Sequence, residues 1–317
     1  MRVLILGVTG FAGGYLADEL VRGGHDVWGA ARARPDGSFS KVVKVEGAAL
    51  PMVSCDITDA GTVGSALRTS RPDAVVLLAG LAFAPLSFRD PAAAYRVHAV
   101  GAVNVMEETL RYEPGVRVLL VTSSEVYGAV EPGELPVTEA TPLRPNSLYA
   151  ASKAAADLAG RAFARQKKAD VVRVRPFNHT GPGQKPDFVC PDFASQVAAI
   201  AAGTKEPVME VGNLSPRRDF TDVRDIVRGY AAALQKGRAG EVYNLCQGRA
   251  IAIGEILDDL CRLAGVSPEI RTAERRKRAA EVPAHWGSAA KARADLGWEP
   301  QIPWERTLTD LLAASAT

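Results

Sequence analysis

Six short apolar runs punctuate the first half of the chain: RVLILG at 2–7, HDVWGAA at 25–31, PMVSCD at 51–56, DAVVLLAG at 73–80, VRVLLVTS at 116–123 and DVVRVRP at 170–176. None alternates strictly with polar positions, which is the pattern of strands covered by helices on both faces of a parallel sheet. Segments of helical period lie between them, near 11–22, 60–69, 91–111 and 147–167. Strand and helix in alternation predict a doubly wound α/β sheet. After Pro176 the rhythm changes. A Gly- and Pro-rich stretch, NHTGPGQKPDF, precedes the helix-like DFASQVAAIAAG, and RRDFTDVRDIVRGYAAAL, EVYNLC and AIGEILDDLCRLAG follow. The C-terminal KARADLGWEPQIPWERTLTDLLAA reads as two helices bridged by a Pro-containing turn. The pattern predicts two units, 1–175 and 176–317, the second a smaller mixed α/β lobe partly interleaved with the sheet.

Composition narrows the function classes. The 317 residues are 47% hydrophobic, enough for a large core, and 38 basic against 36 acidic side chains leave a formal net charge of +2. So balanced a charge supplies no general pull toward nucleic acid or a membrane surface. No apolar run reaches membrane-spanning length, and MRVLILGVTG is too quickly broken by glycine to read as a signal peptide. Cys55, Cys190, Cys246 and Cys261 are scattered without CxxC spacing, as expected of reduced thiols in a cytoplasmic protein. His25, His98, His179 and His285 are equally dispersed, so no metal centre is expected.

GVTGFAG places Gly7, Gly10 and Gly13 directly after the first apolar run and at the mouth of the first helix. Glycines there let the backbone turn tightly and approach a pyrophosphate, whose charge the helix N-terminus favours. Spaced glycines also occur in ordinary strand-to-helix turns. Their location after an N-terminal strand is what a Rossmann-type dinucleotide site requires. The end of the second run, WGAARARP, offers Arg32 and Arg34 and no carboxylate. Arginine suits a 2′-phosphate, so NADP is expected, with NAD possible if both arginines are merely solvated. Asp56 reads either as a partner for the adenine amine or as the cap of the following helix.

The fifth run ends in VTSSEVYG, whose hydroxyls emerge at the carboxyl edge of the sheet, where doubly wound folds bind ligands. Ser123 can donate to a substrate oxygen there, and Glu125 can act as a carboxylate acid or base. The plain alternatives are a loop cap and a solvated charge. Downstream, NSLYAASKAAAD puts Tyr149 and Lys153 one helical turn apart. An ammonium beside a phenol is expected to lower its pKa, making Tyr149 a proton donor while hydride moves to or from a nicotinamide.

The glycine spacing, the SSEVYG loop and Tyr149-x-x-x-Lys153 together resemble the extended short-chain dehydrogenase/reductases acting on nucleotide sugars, over essentially the whole chain. The resemblance implies catalytic Ser123, Tyr149 and Lys153, an N-terminal NAD(P) domain and a C-terminal nucleotide-sugar lobe. It also implies cofactor contacts from Phe11, Ala12, Ile57, Leu78, Ala79, Gly80 and Pro176. RPFNHTGPGQ, GNLSPRRDFTDVRDIVRGY, RAAEVP and LGWEPQIPWERTLTDLL are similar to GDP-6-deoxy-D-mannose reductases, which reduce the 4-keto group of GDP-4-dehydro-6-deoxymannose. That similarity implies Asn178 at the substrate diphosphate or sugar and Arg218 and Arg278 on phosphate, where guanidinium forks match phosphate oxygens. Glu281, within AEV at 280–282, would lie near the guanine or its ribose. Arg275, Arg276 and Lys277 read equally well as a solvated basic turn.

Some positions depart from the pattern. Ala279 stands where a proline is usual, HWGS replaces a more typical LxGD, and His98 sits where relatives often carry asparagine. LLAGLAF lacks the histidine many relatives place there. Glu125 also suits a GDP-mannose 4,6-dehydratase, and nucleotide-sugar 4-epimerases share such loops. A binding protein that kept the fold without catalysis is a further alternative. Alanine-rich faces on the helices near 91–111 and 147–167 lead to the expectation of a homodimer.

Overall fold

The computed structural model describes residues 1–81, 84–273 and 282–316. Seven strands form one parallel sheet: β1 (Arg2–Leu6), β2 (Asp26–Ala31), β3 (Met52–Ser54), β4 (Ala74–Leu77), β5 (Arg117–Val121), β6 (Val171–Pro176) and β7 (Val242–Leu245). Their spatial order is β7-β6-β5-β4-β1-β2-β3. The chain winds outward from β1 in one direction, then crosses back to β4 and winds the other way. The crevice between the carboxyl ends of β1 and β4 is therefore the switch point at which such sheets bind ligands.

Both faces of the sheet are covered, which is why its strands lack polar alternation. Along β1, Val3 and Ile5 enter one core with Leu16 and Leu20 of α1 (Phe11–Arg22) and with Ile226 and Tyr230 of a later helix. Leu4 and Leu6 enter the opposite core with Val63 and Leu67 of α2 (Ala60–Ser70) and Val105 and Met106 of α3 (Gly101–Tyr112). Each such fully buried side chain stabilises the fold by about 1.5–3 kcal/mol.

The segment expected as one helix over 91–111 is interrupted. A short helix, Pro91–Tyr95, passes through a π-helical turn, Arg96–Val100, before α3 begins. The wider turn brings His98 inward, where it is buried and hydrogen-bonded on both ring nitrogens. α4 (Leu148–Gln166) follows β5 and leads into β6.

Beyond β6 the chain builds α5 (Val189–Ala201), α6 (Val223–Lys236), α7 (Ile253–Ala264), α8 (Ala290–Leu296) and α9 (Trp304–Ser315). Helix α6 returns to cover the main sheet beside α1, and EVYNLC supplies β7 at its edge. A third core joins Phe193 and Val197 of α5 to Leu257 and Leu260 of α7 and Leu308 and Leu311 of α9. Short strands complete this region. Asn178–Thr180 pairs in parallel with Phe220–Asp222, and Arg217–Arg218 lies between Ile251–Ala252 and Ala284–His285. Among the described residues no helix is long and apolar enough to cross a membrane.

Candidate active site

The turn after β1 requires glycine for steric reasons. Gly7 has φ +93°, and a Cβ there would stand 2.6 Å from the Ala79 amide nitrogen. On Gly13 a Cβ would meet the Val8 carbonyl oxygen at 2.5 Å. Gly10, whose amide donates to the Gly7 carbonyl at 3.0 Å, starts α1 with no side-chain cap, so the first amides of that helix keep no side-chain acceptor from this position. A cleft of about 450 Å³ opens from Gly7 and Gly10, across Arg32 and Asp56, to Ala79 and Gly80. Bare backbone at a helix N-terminus beside an elongated cleft fits a dinucleotide pyrophosphate.

Ile57 and Leu78 also line the cleft. Phe11, Ala12, Gly13 and Pro176 do not. Phe11 stacks on His179, with centroids 6.2 Å apart and planes 7° apart, so it ties the start of α1 to the segment after β6. Ala12 packs on the core, and Pro176 is buried at the end of β6 opposite Leu245. Arg32 is exposed at the cleft and Arg34 lies outside its lining. Asp56 does not cap α2. That task falls to Asp59, which accepts from Gly61 N at 2.8 Å and Thr62 N at 3.4 Å. Asp56 instead accepts from the amide and hydroxyl of Thr58 at 2.9 and 2.8 Å. Burial pushes its carboxyl up, but these bonds and the Arg32 charge outweigh it and hold the pKa below the usual value.

At the end of β5 the backbone is extended at Ser123 (φ −165°), whose hydroxyl accepts from Glu125 N at 3.2 Å and shares a hydrogen bond with the Tyr149 phenol. Ser147 caps α4 by accepting from Ala150 N at 3.0 Å. Tyr149 and Lys153 thus occupy successive turns at the start of a helix whose first turn is fixed. The Tyr149 ring meets the His98 ring edge-on at 5.5 Å.

The pair differs electrostatically from the expectation. Burial raises the Tyr149 pKa, the Glu125 charge raises it further, and the Ser123 bond opposes them without reversing the direction. The Lys153 ammonium does not offset this rise. It donates to the Val121 carbonyl at 3.2 Å, and burial pulls its own pKa down to about 8. The expected acidification of Tyr149 is therefore absent from the folded chain itself, because the lysine is occupied by backbone and desolvated.

One turn beyond Lys153 lies Asp157, which the sequence reading passed over. It accepts from Arg173 Nη1 at 2.7 Å, from Arg175 Nε and Nη2 at 2.8 and 2.7 Å, and from Thr122 Oγ1 at 3.1 Å. Arg175 Nη1 donates onward to the Tyr127 hydroxyl at 3.0 Å, and Tyr127 donates to Asn244 Oδ1 at 2.7 Å. This buried network joins α4, the end of β5, the Ser123–Tyr127 loop, β6 and β7. Its signal in the sequence is the continuation Tyr149, Lys153, Asp157 at four-residue spacing on one helix face. The two arginines inside an otherwise apolar strand, VVRVRP, point to the same partner.

Asn178 is exposed and pairs in register with Phe220, and Arg218 lies two residues before Phe220 on a strand of a separate small sheet. Arg218 is partly buried and donates through Nη1 to the Arg217 carbonyl at 2.9 Å. Arg278 and Glu281, with Arg275, Arg276, Lys277 and Ala279, lie outside the described residues. Among the described residues no group of three or more His, Cys, Asp or Glu side chains could hold a metal ion.

The family model described as GDP-mannose 4,6 dehydratase matches residues 4–311. GDP-6-deoxy-D-mannose reductase of Pseudomonas aeruginosa is 33% identical over 313 residues, 98% of this chain and 96% of that one. Among solved structures, RMD from Pseudomonas aeruginosa complexed with NADPH has a TM-score of 0.84 at 30% identity, covering 99% of this chain and 98% of that one. The UDP-glucose 4-epimerase of Thermus thermophilus, in complex with NAD, has a TM-score of 0.85 at 27% identity, covering 99% of each chain.

Proposed function

We propose that this chain, which belongs to the GDP-mannose 4,6-dehydratase family of extended short-chain dehydrogenase/reductases, is an NADP-dependent reductase of the 4-keto group of GDP-4-dehydro-6-deoxy-D-mannose, yielding GDP-D-rhamnose. The observation that carries the reading is the meeting of Ser123, Tyr149 and Lys153 where β5 ends, beside a glycine-walled cleft. The reductase from Pseudomonas aeruginosa and the NADPH-bound structure support the choice of reaction and cofactor. Arg32, with no carboxylate closing β2, favours a 2′-phosphate over a free ribose hydroxyl. Gly7, Gly10 and the start of α1 hold the pyrophosphate, while Asp56 and Ile57 wall the adenine end.

When bound, the nicotinamide supplies the hydride that reaches the sugar C4. Ser123 holds the C4 oxygen by a hydrogen bond. Tyr149 delivers a proton from its phenol to that oxygen as it becomes an alcohol; the raised pKa keeps this proton on the residue until then. Lys153 contributes an ammonium that stabilises the phenolate left behind. Asn178 and Arg218 hold the sugar diphosphate from the lobe.

Glu125 favours one second reading. Exposed beside Tyr149, it stands where a carboxylate could remove or return a proton in a 4,6-dehydration. The experiment is direct: purified protein is mixed with the keto sugar and NADPH absorbance is followed. A stoichiometric loss supports the reductase; no NADPH loss overturns it, and conversion of GDP-mannose to the keto sugar with no net NADPH loss would show a dehydratase instead. If Tyr149→Phe turns over like wild type, the proton-transfer reading fails and a non-catalytic role gains.

The protein acts as a homodimer through the helices near 91–111 and 147–167, where Val100, Val103, Leu148 and Leu158, with Phe88 (79% exposed) just before them, leave apolar surface uncovered. Light scattering tests this. Four free cysteines, three of them buried, fit a reducing cytoplasm.

A further inference from the structure

The end of the cleft away from the catalytic pair has two walls of different chemistry. On one side Asp56, Ile57 and Thr58 follow β3; on the other Ala93, Arg96 and Val97 face in. Residues at i, i+3 and i+4 share one side of a helix, so this second stretch turns a single face to the cleft. The short helix that starts it is capped by Asp90, which accepts from Ala93 N at 2.9 Å, and the π-helical turn begins at Arg96.

The two walls are fastened together at their base. Asn104 Nδ2 donates to the Ile57 carbonyl at 3.0 Å. Gly101 lets the Ile57 side chain approach so closely that a Cβ there would stand 2.8 Å from its Cδ1. Val97 packs on the core that holds Ile57. Ile57 and Val97 thus give the cleft an apolar seat, and the long side chain next to it is Arg96, which is exposed.

Charge decides what Arg96 is suited to. Asp90 is committed to its cap, and Asp56 to Thr58 and to the Arg32 charge. Among the described residues no hydrogen bond or ion pair takes up the Arg96 guanidinium. A planar cation without a carboxylate, beside an apolar seat, is matched to the face of an aromatic ring. Arg32, at the end of β2, is the cation placed for a 2′-phosphate.

We propose that Arg96 caps the adenine ring of the dinucleotide, laying its guanidinium plane on the purine beside the apolar seat of Ile57 and Val97. The inference deepens the cofactor part of the reading above and rests on it; the sugar substrate does not enter. Ordering an exposed arginine costs side-chain entropy, so the expected gain in affinity is about two- to fivefold, the range of such contacts at exposed sites.

The test titrates wild type, Arg96→Ala, Arg96→Tyr and Arg96→Lys with NADPH and with NADH, following nicotinamide fluorescence. Arg96 is exposed and unpaired among the described residues, so none of these changes removes a contact that holds the fold. Arg96→Ala should weaken both dinucleotides by the same factor. Tyrosine restores a flat face without the charge; lysine restores the charge without the plane. Arg96→Tyr should therefore bind NADPH like wild type, and Arg96→Lys should stay near Arg96→Ala. Wild-type NADPH affinity in Arg96→Ala would overturn the proposal, as would a failure of Arg96→Tyr to recover it. A loss confined to NADPH, with NADH unchanged, or full rescue by lysine would also overturn it, since either assigns the guanidinium to a phosphate. If wild type binds NADPH but leaves the keto sugar unreduced, the reductase reading fails alone, and Arg96 is still judged by these affinities.

Discussion

A single methyl group at Gly7 would have to fit 2.6 Å from the Ala79 nitrogen, at a φ of +93° that L side chains rarely adopt. Gly7→Ala should therefore weaken NADPH binding more than any substitution on the far wall, and lower the thermal midpoint as well; fluorescence titration and calorimetry check both. At Tyr149 the expected loss is in chemistry and not in binding. Tyr149→Phe should keep wild-type NADPH affinity while kcat falls by about 10²–10⁴, the range for removing a general acid.

Lys153 makes a pH prediction whose sign is fixed by its burial. The folded pKa of about 8 lies below the ordinary lysine value of 10.5, so the unfolded chain holds a proton that the folded chain releases between those values. The group's contribution to stability therefore rises with pH across that window, while any step needing the ammonium weakens as pH passes about 8. The expected profile is a falling alkaline limb in kcat/KM near that pH, read in NADPH oxidation. A flat rate up to pH 10, roughly the ordinary lysine pKa, would remove the ammonium from the mechanism.

Among elements, the loop after β7 depends on one carboxylate. Asp219 accepts amide hydrogens from Gln247 and Gly248 at 2.8 and 2.9 Å, and from Gly287 at 3.4 Å. It joins the sheet edge to the segment beside Arg218, and burial pushes its pKa up to about 6 despite these bonds. Asp219→Asn would turn an NH2 group toward one of these amides. A stability loss of about 1–3 kcal/mol is expected in denaturant unfolding.

Elements differed in how legible they were. The six strands of the first half carry unbroken apolar runs because both of their faces are buried, and that signal needs no partner to be read. EVYNLC was visible as a short apolar stretch without an assigned place, since pairing with β6 is settled only by where α6 returns the chain. The π-helical turn left no trace at all in the periodicity; it depends on His98 finding Leu81 and Ser152.

Across the whole molecule, the Asp157 network is the joint on which the site turns, since it links one helix, three strands and the Ser123 loop. Asp157→Asn would leave Arg173 and Arg175 buried with an incomplete counterion, and removing one partner of a buried pair costs about 3–5 kcal/mol. Stability and turnover should fall together, with NADPH affinity less affected, because the glycine cleft lies across β4 from the network. Unfolding curves and kinetics on the same preparation would separate these effects.

The order of strands and helices, the glycine turn and the identities of Ser123, Tyr149 and Lys153 were written in the sequence itself, because periodicity and short-range spacing are local properties of a chain. The tertiary structure alone decided the charge states. Lys153 turns to Val121 and the Tyr149 pKa rises instead of falling. Asp59 and not Asp56 caps its helix, and His98 closes a bridge between segments 17 residues apart on one side and 54 on the other. Protonation follows from burial and from which groups meet across the fold, and neither can be read from neighbours in the chain.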